Sequence, residues 1–495
     1  MWLNEGFASY VEYLGAEHVA PTSGIMDRFS VREIQTTFEY DSLQSSHPIS
    51  IQVQHPDEIG QIFDSISYGK GASIIRMMAN FLGIKTFNLG ITNYLKQHKY
   101  ENAQQDDLWQ SLTDVAIRER TLKGDVNVKE IMDTWTLQMG YPVVNVQRNY
   151  ETNDIKLNQE RFLLFKDASV KDEHEYRWWV PISCTHSDGD FSHTETNLWL
   201  KPNDVDTPAK DECNVPADTA LVINIQQTGY YRVNYDVENW NLIYEALKQN
   251  MSSIHRINRA QIIDDAMNLA RAGSLEYDIA LKLVDYFKQE TEYIPWKARL
   301  RSFRYIRKML ARTPAYGLYK QYMSRELQPV YSSLFNEQGK VRDNDVMDSL
   351  LRVEIMNEMC EMDQDECKKN ALNMLKSEEK IQIAEQYLSS DDGTGPILVN
   401  RIRLYSNNVA NFVDIEKNTM KVWRQAMERG TAIPAEFRGV TYCTFVKEGN
   451  EEDWEYVWGM YTKTSNVNMK RNILSGLGCS RHIWILKVRN LVVEQ

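Results

Sequence analysis

The chain has 495 residues, of which 42% are hydrophobic and 25% charged, an ordinary balance for a globular protein of two to four domains. Its formal net charge of −13 excludes nucleic acid as the main partner, because phosphate binding needs a basic face and no Lys/Arg run supplies one. No stretch of about 18 apolar residues exists, so no transmembrane helix is expected. The first stretch, residues 1–140, reads as helical: Phe7, Val11 and Leu14 share one face, Ala72, Ile75, Ala79 and Leu82 another, and Gly83 follows as a C-cap. Within it, residues 41–65 carry Pro48 and Pro56 with little period and read as loop. Residues 141–235 change to strands. Tyr141–Val146 and Trp178–Ile182 are short β-rich runs, and Leu221, Ile223 and Ile225 alternate before a turn at Gln227–Gly229. Tyr231, Val233 and Tyr235 alternate on the return, which reads as a hairpin in a small β-sandwich. Residues 236–495 return to helices of about 12–18 residues with short polar breaks, as in an α-solenoid-like helical domain. Ser389–Pro396 is its clearest loop.

Several motifs fail on inspection. His174-Glu175 opens like a zinc-binding HExxH, but Trp178 stands where the second histidine belongs, in a strand-rich region. Gly69-Lys70-Gly71 is not a phosphate loop, since Asp64 replaces its first glycine. The nine histidines are scattered and read as surface or core residues.

The opening Trp2-Leu3-Asn4-Glu5-Gly6-Phe7-Ala8-Ser9-Tyr10 resembles the zinc aminopeptidases of the aminopeptidase N type, within the gluzincin metallopeptidases. The resemblance implies that Glu5 is the third zinc ligand, a carboxylate beside two imidazoles, with one position open for water. Gln61-Ile62-Phe63-Asp64-Ser65-Ile66-Ser67-Tyr68-Gly69-Lys70-Gly71-Ala72 is similar to the family's tyrosine segment, which makes Tyr68 the hydrogen-bond donor to the oxyanion. Trp135–Val143 resembles the junction between catalytic domain and β-sandwich, Gly229–Asp236 the sandwich's exit, and Arg259–Ala266 the start of the C-terminal helices. Glu292–Trp296 and Phe437–Cys443 follow in family order.

The implied architecture is multidomain and mainly α with one β domain. Residues 1–140 are the C-terminal part of a thermolysin-like catalytic domain, 141–235 the β-sandwich, and 236–495 a helical domain that is itself incomplete. Of the six cysteines, Cys360, Cys367, Cys443 and Cys479 resemble the two disulfides of extracellular members. Cys184 and Cys213 can pair or remain buried thiols, and the free form is favoured. Asn250-Met251-Ser252 is a glycosylation sequon.

The family's HExxH lies eighteen residues before its third ligand, whereas four residues precede Glu5. Both histidine ligands and the glutamate base are therefore expected upstream of this sequence, with the segment that binds the substrate's free amine. At the other end, Trp484–Lys487 still matches and Leu491–Gln495 drifts away. The chain reads as a fragment of a zinc metalloaminopeptidase that removes N-terminal residues from peptides, predicted inactive alone because one carboxylate cannot hold zinc. The alternative is a truncated, non-catalytic paralogue that binds peptides or proteins. The resemblance implies a plasma-membrane or extracellular ectoenzyme, anchored through segments absent here, with a homodimer left open. Met1–Gly6 itself has neither the basic nor the apolar region of a signal peptide.

Overall fold

The computed structural model describes residues 1–53, 55–122, 126–165, 175–334, 346–367 and 438–481. His174, Ser389–Pro396, Phe437 and Trp484–Gln495, all singled out in the sequence, lie outside them. The chain divides into two compact units, Met1–Pro314 with Asp345–Met347, and Ala315–Asn344 with Asp348–Gln495. Helices predominate and the sheet is small. No helix among the described residues is long and apolar enough to cross a membrane.

The first unit opens with α1 (Trp2–Val19), α2 (Ile25–Phe29) and α3 (Gln35–Asp41), the last two joined through a π-helical turn at Ser30–Ile34. Then come α4 (Gly71–Leu82), α5 (Ile84–Gln97), α6 (Gln105–Glu119) and α7 (Val128–Thr136). Between α3 and α4 the described residues hold only a 3₁₀ turn at Pro56–Ile62 and a π-helical turn at Ile66–Lys70. Gly83 caps α4 with φ 76°, a backbone angle that glycine adopts without steric penalty.

The face of α1 differs from the sequence expectation. Its buried residues are Trp2, Gly6, Tyr10 and Tyr13, whereas Val11 and Leu14 are 54% and 37% exposed. The reason is Gly6, which lets α1 approach α4 backbone to backbone and so turns the aromatic face inward. Ala72, Ile75, Ala79 and Leu82 are all buried.

Strands β1 (Pro142–Asn149) and β2 (Asp154–Arg161) form an antiparallel hairpin. Two small antiparallel pairs stand apart: β3 (Val180–Ile182) with β5 (Leu198–Leu200), and β4 (Cys184–His186) with β7 (Leu221–Ile223). Strand β6 (Thr207–Pro208) extends the hairpin beyond β2, and β8 (Arg232–Tyr235) joins β1 in parallel, giving the order β6-β2-β1-β8. Thus β7 and β8 do not form the hairpin read from their alternation. Asn224, Gln226 and Gln227 all adopt left-handed backbone angles, with φ 69°, 51° and 47°, and send the two strands to different partners.

Cys184 and Cys213 form a disulfide with Cα atoms 5.7 Å apart, correcting the expectation of free thiols. Burial of Cys213 fits either state; what decides is that the turn after β6 brings it opposite the start of β4. Cys360 pairs with Cys367 and Cys443 with Cys479.

Helices α8 (Val237–Gln249), α9 (Arg256–Arg271), α10 (Tyr277–Lys282) and α11 (Tyr293–Leu310) complete the first unit. Arg232 on β8 reaches α9, where its guanidinium meets Asp264 at 2.7 Å and Asp265 at 2.8 Å, all three buried. Its Nε donates to the Tyr141 hydroxyl, and the rings of Phe38 and Phe162 flank it. Burial pushes the Asp265 carboxyl up to about 7 against the pull of Arg232.

His255 caps α9 by accepting from the Ile257 amide at 3.3 Å, a bond that needs an unprotonated ring nitrogen. Burial lowers its pKa below the usual 6.5. A depressed pKa means that this contribution is complete above about 6.5 and is lost as pH falls through the folded value. Urea midpoints are expected to fall on acidification from pH 6.5, with a shallower slope in His255→Asn, which caps without titrating. Equal slopes in the two proteins would remove His255 as the cause.

The second unit contains α12 (Tyr316–Leu334), α13 (Val346–Glu361) from Asp348 onward, α14 (Arg438–Glu448), α15 (Glu451–Lys463) and α16 (Val467–Leu477). Gly476 on α16 packs so tightly on α14 that a Cβ there would lie 2.5 Å from Tyr442 Cβ, and the Cys443–Cys479 bridge closes the same contact. Asn450 and Asp453 form a reciprocal capping box at the start of α15.

Candidate functional site

Glu5 sits in the first turn of α1, where exposed backbone N–H groups favour a carboxylate. Gly6 follows it. A Cβ at Gly6 would stand 2.9 Å from the carbonyl carbon of Gly71, the first residue of α4, so only glycine permits this approach. Tyr68 lies three residues before Gly71, in the π-helical turn Ile66–Lys70. The contact between the two glycines therefore brings Glu5 and Tyr68 together, close enough for the Glu5 carboxylate to act on the Tyr68 phenol. Partial desolvation and the neighbouring Glu5 carboxylate raise the Tyr68 pKa above its ordinary value.

The turn that carries Tyr68 is held at both ends. At its start, Asp64 Oδ1 accepts from the Ile66 and Ser67 amides, each at 3.0 Å, and His47 Nε2 meets Asp64 Oδ2 at 2.7 Å. Gly69 fits against α3, where a Cβ would fall 2.1 Å from Thr37 Oγ1. At its end, the Lys70 ammonium is fully buried, 2.8 Å from Asp41 Oδ2 and 2.7 Å from the Gly140 carbonyl. Asp41 also accepts from the Gly140 amide at 3.0 Å, Ser46 Oγ at 2.6 Å and the Tyr230 hydroxyl at 3.2 Å. Burial lowers the Lys70 pKa and Asp41 opposes that shift.

The structure thus brings together the two residues singled out in separate sequence motifs. The sequence reading missed their supports, Asp41, His47, Asp64 and Lys70. Lys70 and Asp64 stand inside the quoted tyrosine segment, whereas Asp41 and His47 lie in or beside a stretch read as loop and carry no signal of their own. Among the described residues no group of three or more His, Cys, Asp or Glu side chains is arranged to hold a metal ion. Glu5 alone does not fit zinc, which takes three protein ligands at a catalytic site.

Residues 1–135 match the Peptidase family M1 domain, and residues 220–391 and 399–489 match the ERAP1-like C-terminal domain. The chain is 32% identical over 494 residues to aminopeptidase N of Homo sapiens, covering 98% of this chain and 45% of that protein. It is 32% identical over 496 residues to aminopeptidase Ey of Gallus gallus, with coverages of 98% and 45%. Against glutamyl aminopeptidase of Bos taurus the identity is 34% over 507 residues, with coverages of 100% and 46%. The chain spans less than half the length of these relatives.

Proposed function

The chain belongs to the M1 aminopeptidase family, and from that premise we propose that it is the middle-to-late part of a zinc metalloaminopeptidase. Glu5 contributes the third metal ligand, beside two histidines from residues upstream of this sequence. Tyr68 aims its phenol at the oxyanion that develops when the scissile carbonyl of a peptide is attacked. The observation that carries this reading is that the close Gly6–Gly71 approach sets Glu5 and Tyr68, two chemically apt groups from separate elements, beside one another. The substrates are peptides with free N-termini.

The domains of this reading are a catalytic remnant over 1–140, a β-sandwich over 141–235 and a solenoid-like helical domain over 236–495. The three disulfides support an oxidising compartment, in keeping with an ectoenzyme anchored through segments outside this sequence.

Purified alone, the chain is expected to hold far less than one zinc per molecule by elemental analysis and to leave aminoacyl amides intact. Extended upstream through an in-frame HExxH, it is expected to bind zinc stoichiometrically, and Glu5→Ala in that longer protein is expected to lose the metal. Stoichiometric zinc with turnover in the isolated chain, or zinc retained by the extended Glu5→Ala protein, would overturn the reading.

A further inference from the structure

We infer that Lys70 is the positioning residue for Tyr68: its buried ammonium, clamped between Asp41 and the Gly140 carbonyl, fixes the rotation of the π-helical turn that aims the phenol at Glu5. The inference rests on the proposed role of Tyr68. Residues two apart on a helical turn project to nearly opposite sides. Lys70 points inward to Asp41, 2.8 Å away, and to Gly140, 2.7 Å away, and Tyr68 is the residue its turn presents on the other side.

A charge is an unusual choice for this task. Both side chains of the pair have 0% exposure, and an apolar pair of similar volume would avoid the desolvation cost of two ions. An apolar side chain also slides and rotates within its pocket, whereas an ammonium held by a carboxylate and a carbonyl is fixed in direction. The carboxylate is itself held by three further donors, Gly140 N, Ser46 Oγ and Tyr230 Oη, so the anchor is rigid at its far end as well. The opposite end of the turn is set independently by Asp64. The π-helical turn departs from regular helix, and it is held by anchors on either side of Tyr68.

The test is a double-mutant cycle in the longer, zinc-loaded enzyme. Lys70→Met is expected to lower kcat by about tenfold to a hundredfold, the scale of a small misplacement, with KM within roughly threefold of the parent. In a Tyr68→Phe background Lys70→Met is expected to lower kcat no further, because its effect runs through the lost hydroxyl. Additive losses, or an unchanged kcat in Lys70→Met alone, overturn the proposal. An unchanged kcat in Tyr68→Phe alone instead overturns the role assigned to Tyr68, and is read before Lys70 is touched. Amide exchange in the isolated chain gives a readout without activity. Lys70→Met is expected to speed exchange at Ile66–Gly71 and leave α9 as it was. Acceleration across the whole first unit would mark a general structural role and overturn the proposal. Should Lys70→Met fail to fold, Asp41→Asn keeps the shape and removes the charge, and the same kinetic and exchange outcomes then support or overturn the proposal.

Discussion

Replacing Tyr68 by phenylalanine in the zinc-loaded, full-length enzyme is expected to lower kcat by about 10²–10³-fold, the effect of deleting one oxyanion donor. In the role proposed for Tyr68 the hydroxyl meets its partner as charge develops on the oxygen and not in the ground state, so KM is expected to change much less. The substitution removes one oxygen from a partly exposed side chain and keeps the ring, whose nearest aromatic neighbour is Phe63 at 6.5 Å. The urea midpoint should therefore stay close to that of the parent. Steady-state kinetics on a neutral aminoacyl amide, with zinc content measured on the same preparation, separate a catalytic defect from loss of metal. A kcat within a few-fold of the parent, with zinc retained, would remove Tyr68 from the chemistry.

The second large effect is one of stability and needs only the present chain. Arg232→Met is expected to destabilise the first unit by about 3–5 kcal/mol, the cost of breaking a buried ion pair from one side. Methionine fills the space between Phe38, Tyr141 and Phe162 but leaves the carboxylates of Asp264 and Asp265 buried without their cation. The sign of the pH dependence follows. Burial already raises the Asp265 carboxyl to about 7, and loss of Arg232 raises it further. A carboxyl with a raised folded pKa takes its proton more readily in the folded state, so stability falls as pH rises through that value. The deficit of the variant, read from urea unfolding, is therefore expected to be smaller near pH 5 than near pH 8. A deficit that is flat over this range would place the damage in packing and not in the unpaired carboxylates.

Much of the site is legible in the sequence because its motifs are halves of contacts. Glu5-Gly6 and Tyr68-Gly69-Lys70-Gly71 meet through Gly6 and Gly71. Gly140, inside the block that marks the end of the first helical stretch, binds Lys70 and Asp41. Arg232, in the block read as the exit of the strands, meets Asp264 and Asp265 in the block read as the opening of the later helices. Each block stands out separately, but the pairing between blocks has no local signature. A buried charge satisfied by a distant element leaves no periodicity to read.

The misread elements have the same origin. Phe7, Val11 and Leu14 repeat at helical spacing, and hydrophobic periodicity alone ranks them above a face made of Trp2, Gly6, Tyr10 and Tyr13. Close backbone approach at a glycine decides which face goes inward. In the strands, alternation on both sides of Gln227–Gly229 picks out buried residues, but Val222 and Arg232 between them are buried too, and the partner it implies is wrong. Pairing is settled by the left-handed residues between them, which are not glycine and so carry no warning.

That left-handed turn bears on how the first unit folds. Its residues bond to partners far away in the chain: Gln227 accepts from Gln35 across 192 positions, and its carbonyl accepts from Arg76 across 151. The Gln226 amide donates to Asn258 on α9, and Gln35 in turn takes a bond from Arg301 on α11. Contacts of such sequence separation close the longest loops, so they are expected to form after local helices and the β1–β2 hairpin have condensed. Substitutions at Gln227 should then act mainly on the rate at which the unit comes apart and little on the rate at which it assembles. On that expectation the joint is a latch on an already collapsed chain, and the lifetime of the native state depends on it more than the route by which that state is reached.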